Sequence, residues 1–248
     1  YVHEAQKMND YFWQLSWRIP ALEKGTILVS ENIPLNRYSD SDLTPIVNWQ
    51  YAPDLRGNTY DYKYFDLDLR GETYYSDLST SMDVSHGYRS HQFFSSTDKT
   101  LGIYYHENEC LWVLSAEESS YPGLPDSLGR VSQISNPDLI QVSAESTHTP
   151  PTPIGAEPEH RVCYYFQKLN LAVQRGDLDK AESIISKVES SKLEPTNSVD
   201  WMPFFLYEMQ TQNKEAARYY SEKIRSTEEG KVFLCKRLSS KDITSTLL

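Results

Sequence analysis

The chain has 248 residues, with 35 Asp and Glu against 24 Lys and Arg and a formal net charge of −11. That length supports one large domain or two ordinary ones, with a core that needs no staples. The acidity excludes the basic stripe of a nucleic-acid binder and disfavours charge-driven docking on an anionic membrane surface. Cys110, Cys163 and Cys235 lie far apart without metal-ligand spacing, so buried free thiols are the plainest reading. One disulfide with one thiol left over is the alternative, and the redox compartment stays open. No run approaches the ~18–20 apolar residues of a membrane span, and no signal peptide opens the chain. It begins Tyr1-Val2-His3 without methionine, and so reads as an excised soluble segment or a mature fragment.

In chain order, Ala5, Met8, Phe12, Leu15 and Ile19 recur at three- and four-residue steps, the stripe of an amphipathic helix that Pro20 ends. Lys24-Gly25 turns the chain into a short apolar β run, Thr26–Ser30, which makes an α/β unit whose sheet has at least one covered face. Trp13 and Trp17 sit one turn apart beside the stripe and read as core. The competing reading is an aromatic belt next to a span preceding Tyr1. From Asn36 and Arg37 the chain is polar, then enters a short helix at Pro45–Gln50 with Thr44 as cap. Tyr60, Tyr62 and Tyr64 alternate and then change phase to Phe65, Leu67 and Leu69, as a strand with a β-bulge would. His91–Ser96, Leu101–Tyr105 and Cys110–Leu114 read as a three-stranded antiparallel meander. Residues 143–158 turn Ser-, Thr- and Pro-rich, including Thr149-Pro150-Pro151-Thr152-Pro153, and read as a stiff inter-domain linker.

The last third reads as helical hairpins. Val162, Tyr165, Phe166, Leu169, Ala172 and Val173 form one apolar stripe; Gly176 stops it and Asp177 caps a second helix carrying Leu178, Ala181, Ile184, Ile185 and Val188. A second pair spans about 200–212 and 214–225, with Pro203 tolerated in a first turn, and a last short helix covers Val232–Leu238 before a frayed tail. Gly176-Asp177-Leu178-Asp179-Lys180-Ala181 and Asn213-Lys214-Glu215-Ala216-Ala217 occupy matching places 37 positions apart. They resemble the inter-helix turns of tetratricopeptide-type repeats, whose usual period is about 34. A partner groove and simple packing are both open for these pairs.

Candidate chemistry is sparse. His91, His106, Glu107, Glu109 and Cys110 invite a metal hypothesis, but His106–Cys110 falls in a hairpin turn where an i, i+4 pair does not converge. The reading is therefore no metal and no cofactor. Asp40 and Asp42, with Asp54 nearby, are a possible acid/base or cation cluster, set against ordinary solvated turn residues. Asn48, Trp49 and Tyr51 are the better candidates for a glycan surface, since an aromatic face beside an amide suits a pyranose ring. No GxSxG, Walker loop, GxGxxG, HExxH or CxxC occurs, which argues against the commonest enzyme classes, and no catalytic residue is assigned.

Three stretches carry a resemblance. They are Tyr11-Phe12-Trp13-Gln14-Leu15-Ser16-Trp17-Arg18-Ile19-Pro20 with Gly25-Thr26; Tyr38-Ser39-Asp40 with Leu43-Thr44-Pro45, Asn48-Trp49 and Tyr51-Ala52-Pro53; and Pro158-Glu159-His160 through Cys163-Tyr164-Tyr165-Phe166-Gln167-Lys168 to Arg175-Gly176-Asp177. Together they resemble the C-terminal soluble region of large, uncharacterised multi-spanning bacterial membrane proteins, which look related to glycosyltransferases using lipid-linked sugars. The resemblance implies a domain on the extracytoplasmic face of the cytoplasmic membrane, with the transferase carboxylate elsewhere in the membrane part. The expectation is an α+β protein: a mixed α/β domain over 1–142, the linker, and a helical-hairpin module over 159–248. Its expected role is non-catalytic, binding a glycan acceptor or a protein partner. The rivals are a free-standing carbohydrate-active enzyme built on a carboxylate pair and a purely structural scaffold.

Overall fold

A computed structural model describes residues 2–35, 38–70, 81–106, 109–142 and 148–239. Asn36, Arg37, Glu107, residues 143–147 of the expected linker and the tail from 240 lie outside them. The protein is α+β, and the chain divides into two compact units, Tyr1–Ser119 with Leu124–Pro158, and Ser120–Gly123 with Glu159–Leu248.

In the first unit, α1 (Val2–Arg18) is followed by β1 (Ala21–Leu22) and β2 (Ile27–Ser30), then α2 (Asp40–Tyr51), β3 (Lys63–Asp66) and the single turn α3 (Leu67–Arg70). Next come β4 (Asp83–Tyr88), β5 (His91–Ser96), β6 (Thr100–Tyr104), β7 (Trp112–Val113), α4 (Asp126–Ser132) and β8 (Ile140–Gln141). The central sheet has the order β3-β2-β6-β7. β2 runs parallel to both neighbours, with Leu28 opposite Tyr64 and Leu101, and β7 closes the edge antiparallel to β6. Ile27, Leu28 and Val29 are fully buried, as expected of a central parallel strand covered on both faces.

The stripe on α1 is real: Met8, Phe12, Leu15 and Ile19 are buried, whereas Ala5 is exposed. Trp13 and Trp17 are also buried, with rings 6.3 Å apart. Their indole N–H groups donate to the Gly155 carbonyl (3.2 Å) and the Glu157 carboxylate (2.8 Å). Asn9 donates to the Ile154 and Ala156 carbonyls, and Ser16 to that of His148. The described part of the Pro/Thr-rich segment, 148–158, is thus a strap laid along α1 and belongs to the first unit. Proline removes donors but leaves carbonyls, and α1 supplies the matching donors.

Three local expectations are corrected. The expected meander divides: β5 pairs with β4, while β6 pairs with β2 and β7. A 3-10 turn at Thr97–Lys99 separates them, and the Thr97 hydroxyl holds the Met82 N–H at 3.0 Å, fastening β5 to the start of β4 instead. The phase change after Tyr64 marks the switch from β3 into α3, not a bulge. Helix α2 begins five residues early, at Asp40; Ser39 and Asp42 form a capping box there, and Pro45 lies inside the helix.

In the second unit, α5 (Val162–Arg175) pairs with α6 (Leu178–Ser190) and α7 (Met202–Gln210) with α8 (Lys214–Ile224), with α9 (Glu228–Ser239) against α8. Gly176 closes α5 at φ 68°, a left-handed conformation that glycine adopts without the Cβ penalty. Asp177 and Asn213 cap α6 and α8 through the N–H groups of Lys180 and Ala216. Trp201, Phe204 and Tyr220 stack in the core with centroids 5.1–5.6 Å apart.

Candidate functional site

The expected glycan surface does not assemble. Asn48 is buried: its amide nitrogen donates to the Thr44 and Tyr62 carbonyls, both at 2.8 Å, and its oxygen accepts from the N–H groups of Asp61 (2.9 Å) and Tyr62 (3.0 Å). Tyr51 is buried too, and its hydroxyl donates to the Ile19 carbonyl at 2.9 Å. Trp49 alone of the three is exposed, at 55%.

The carboxylates named from sequence part company as well. Asp42 is consumed as the N-terminal cap partner of Ser39, accepting from its N–H (2.9 Å) and hydroxyl (2.7 Å). Asp54 lies beyond the far end of α2, a 12-residue helix about 18 Å long. That separation exceeds the ~5–10 Å at which two carboxylates flank a glycosidic bond. Asp40, at the first turn of α2, is buried and belongs to a different group.

That group sits at the carboxyl ends of the parallel strands. The connection from β2 leads to β3 on one side and the chain then crosses to β6 on the other, so the strand order reverses at β2. In parallel α/β sheets ligands favour such a switch point. Here Glu31 follows β2, Asp66 ends β3 and Asp68 follows it. Asn32, at φ 56°, donates its N–H to Asp68 at 2.6 Å, Asp68 donates its own to Asp66 at 3.1 Å, and Ser127 donates its hydroxyl to Glu31. Burial and then the negative charges of Asp68, Asp40 and Glu31 push the Asp66 carboxyl up to about 6, against the opposing Asp68 N–H. Beneath it the Tyr11 and Tyr64 hydroxyls meet at 2.6 Å, and Tyr64 donates to Ser30 at 2.7 Å. Tyr11, Tyr64 and Ser30 have no solvent exposure, so none of these hydroxyls reaches a substrate. The raised Asp66 carboxyl thus sits above a hydroxyl chain that is sealed from solvent.

Among the described residues no group of three or more His, Cys, Asp or Glu side chains is placed to hold a metal ion. His91 stacks on Tyr60 at 4.6 Å, and His106 packs on Tyr104 at 5.0 Å. Cys110 and Cys163 are disulfide-bonded, and Cys235 is free and exposed.

The second unit carries a groove of about 610 Å³ along α8 and α9. Phe205, Ala217 and Leu234 are buried at its floor, and Leu238 borders it. Lys214, Arg218, Arg225 and Lys231 surround that floor, all exposed. Ala217 and Ser221 on α8 are small, and this keeps the trough open between the helices. The spacings are readable in the sequence: 214, 217, 218, 221 and 225 on one helix, 231, 234, 235 and 238 on the next. What the sequence does not show is that these two stripes face one another.

No protein-family model, curated protein or solved structure matches this chain. No described helix is long and apolar enough to cross a membrane.

Proposed function

We propose that this chain is a non-catalytic docking domain, held on the extracytoplasmic face of a multi-spanning membrane protein, whose helical unit binds a protein partner. The carrying observation is the groove on α8 and α9, an apolar floor with a polar rim of the size range that binding sites occupy. The first unit, taken by itself, argues the same way. Asp42 is spent as a helix cap, the hydroxyl chain under Asp66 is sealed, and Asn48 and Tyr51 are spent on internal bonds. A protein partner is therefore favoured over a glycan acceptor. Disulfide-bonded Cys110 and Cys163 support an oxidising compartment.

Two measurements test the reading. The coding sequence upstream of Tyr1 should encode several apolar spans of ~20 residues; an upstream region without spans sinks the membrane context. A photo-crosslinking residue at Ser221, introduced into the full-length protein in its native membranes, should give an adduct with another polypeptide. The same residue at exposed Trp49 should not. Equal yields at both positions, or no polypeptide adduct at 221, contradict docking at the groove.

A further inference from the structure

Resting on that docking reading, we infer that the groove takes an acidic amphipathic helix, with apolar side chains on the floor and carboxylates against the rim. Charge complementarity carries the inference. The chain has a net charge of −11, yet Lys214, Arg218, Arg225 and Lys231 converge on this one trough, and among the described residues no carboxylate lines it. Rim pairing inside the chain is slight. Arg218 meets Glu222 at 3.2 Å with both side chains largely exposed, and Lys231 pairs with Glu228 within one turn. Such exposed pairs are worth little and exchange readily for a partner's carboxylates. Lys214 and Arg225 make no ion pair with a described carboxylate.

Shape points to a helix. From Lys214 to Ile224 α8 runs eleven residues, about 16 Å, which matches three turns of a partner helix, and Arg225 caps its end. Small side chains at Ala217 and Ser221 admit its apolar knobs, and on α9 Leu238 borders the groove one turn beyond the buried Leu234. The same cations would also attract a lipid headgroup. The acidity of the remaining surface opposes approach to an anionic bilayer, and the peptide is the occupant favoured here.

The test uses the intact chain and a synthetic helical peptide of about four turns, with Leu on one face and Glu on its flanks, read by fluorescence anisotropy. A second peptide carries Gln for every Glu. The Glu peptide should bind ~10-fold or more tightly than the Gln peptide, and its affinity should fall as salt rises. The double variant Arg218→Glu/Arg225→Glu changes only exposed side chains; it should keep the melting temperature and lose the preference. Equal affinity for both peptides, unaltered in the variant, overturns the acidic partner while leaving docking intact. Binding to phosphatidylglycerol vesicles with none to either peptide overturns it too. A polypeptide adduct at Ser221 alongside peptide failure shows that only the partner's chemistry is wrong.

Discussion

Asn48 grips Tyr62 at both ends of its backbone, donating to the carbonyl at 2.8 Å and accepting from the N–H at 3.0 Å. One turn earlier, the Thr44 hydroxyl accepts from the Tyr64 N–H at 3.2 Å and gives its own proton to the Asp40 carbonyl at 2.7 Å. Four helical residues rise about 6 Å and two strand residues about 6.6 Å, so the two side chains keep step with β3. β3 is the outer strand of its sheet, and helix α2 thereby satisfies an edge that would otherwise offer a template for aggregation. Asn48→Ala should cost about 3 kcal/mol, because buried backbone groups lose their partners. Trp49→Ala, next to it but exposed, should change stability by less than about 0.5 kcal/mol. Urea denaturation of both variants separates an edge-sealing Asn48 from a ligand-facing one.

The hydroxyl chain Tyr11–Tyr64–Ser30 makes an ordered prediction. Tyr11→Phe removes one end of the chain and should cost about 1 kcal/mol. Tyr64→Phe strands both Tyr11 and Ser30 in a region without solvent, and should cost about 2–4 kcal/mol. Equal losses in the two variants would show that the chain is not continuous.

Asp66 sets a pH dependence. Its folded carboxyl titrates at about 6 against 3.8 when unperturbed, so between those values the folded chain holds the extra proton. The relative stability this confers is present below pH ~4 and is lost as the pH rises through about 6. Asp66→Asn keeps the oxygen that accepts from Asp68 and removes the titration. The variant should melt higher than the parent at pH 7.5, with the gap closing toward pH 4.5. A gap of constant size would contradict the charge crowding from Asp68, Asp40 and Glu31.

At the first hairpin, Gly176→Ala puts a Cβ into open space but keeps φ at 68°. Its cost should be purely conformational, about 1 kcal/mol. Asp177→Ala removes the cap on the Lys180 N–H and should cost about 1 kcal/mol as well. Thermal melts of the two variants check both.

The second unit was legible in the sequence because its signals are local. The stripe through Phe166, Leu169 and Val173, the Gly176 stop and the Asp177 and Asn213 caps lie within a turn or two of the elements they define. The first unit was legible only in pieces. Ile27–Ser30 reads as a buried strand, but its partners Lys63–Asp66 and Thr100–Gly102 are distant in sequence, and parallel pairing leaves no turn to mark it. Asn48 beside Trp49 and Tyr51 looked like a sugar platform because its use depends on the register of β3, which periodicity does not encode. Asp40 stands beside Asp42 and Asp54 in the sequence, but its companions in the fold are Asp66, Asp68 and Glu31, which the sheet brings to it. The groove had its cations and small residues at helical spacing, yet needed α9 folded against α8 to become a trough.

The most direct test of an acidic helix docking at the groove is the alkylation rate of Cys235, the free thiol that lines it. With Cys110 and Cys163 disulfide-bonded, the native chain should take up one iodoacetamide label, at Cys235. The account predicts that the Glu peptide slows this labelling strongly, while the Gln peptide at equal concentration slows it little. A labelling rate unchanged by saturating Glu peptide would contradict an acidic helix seated between α8 and α9.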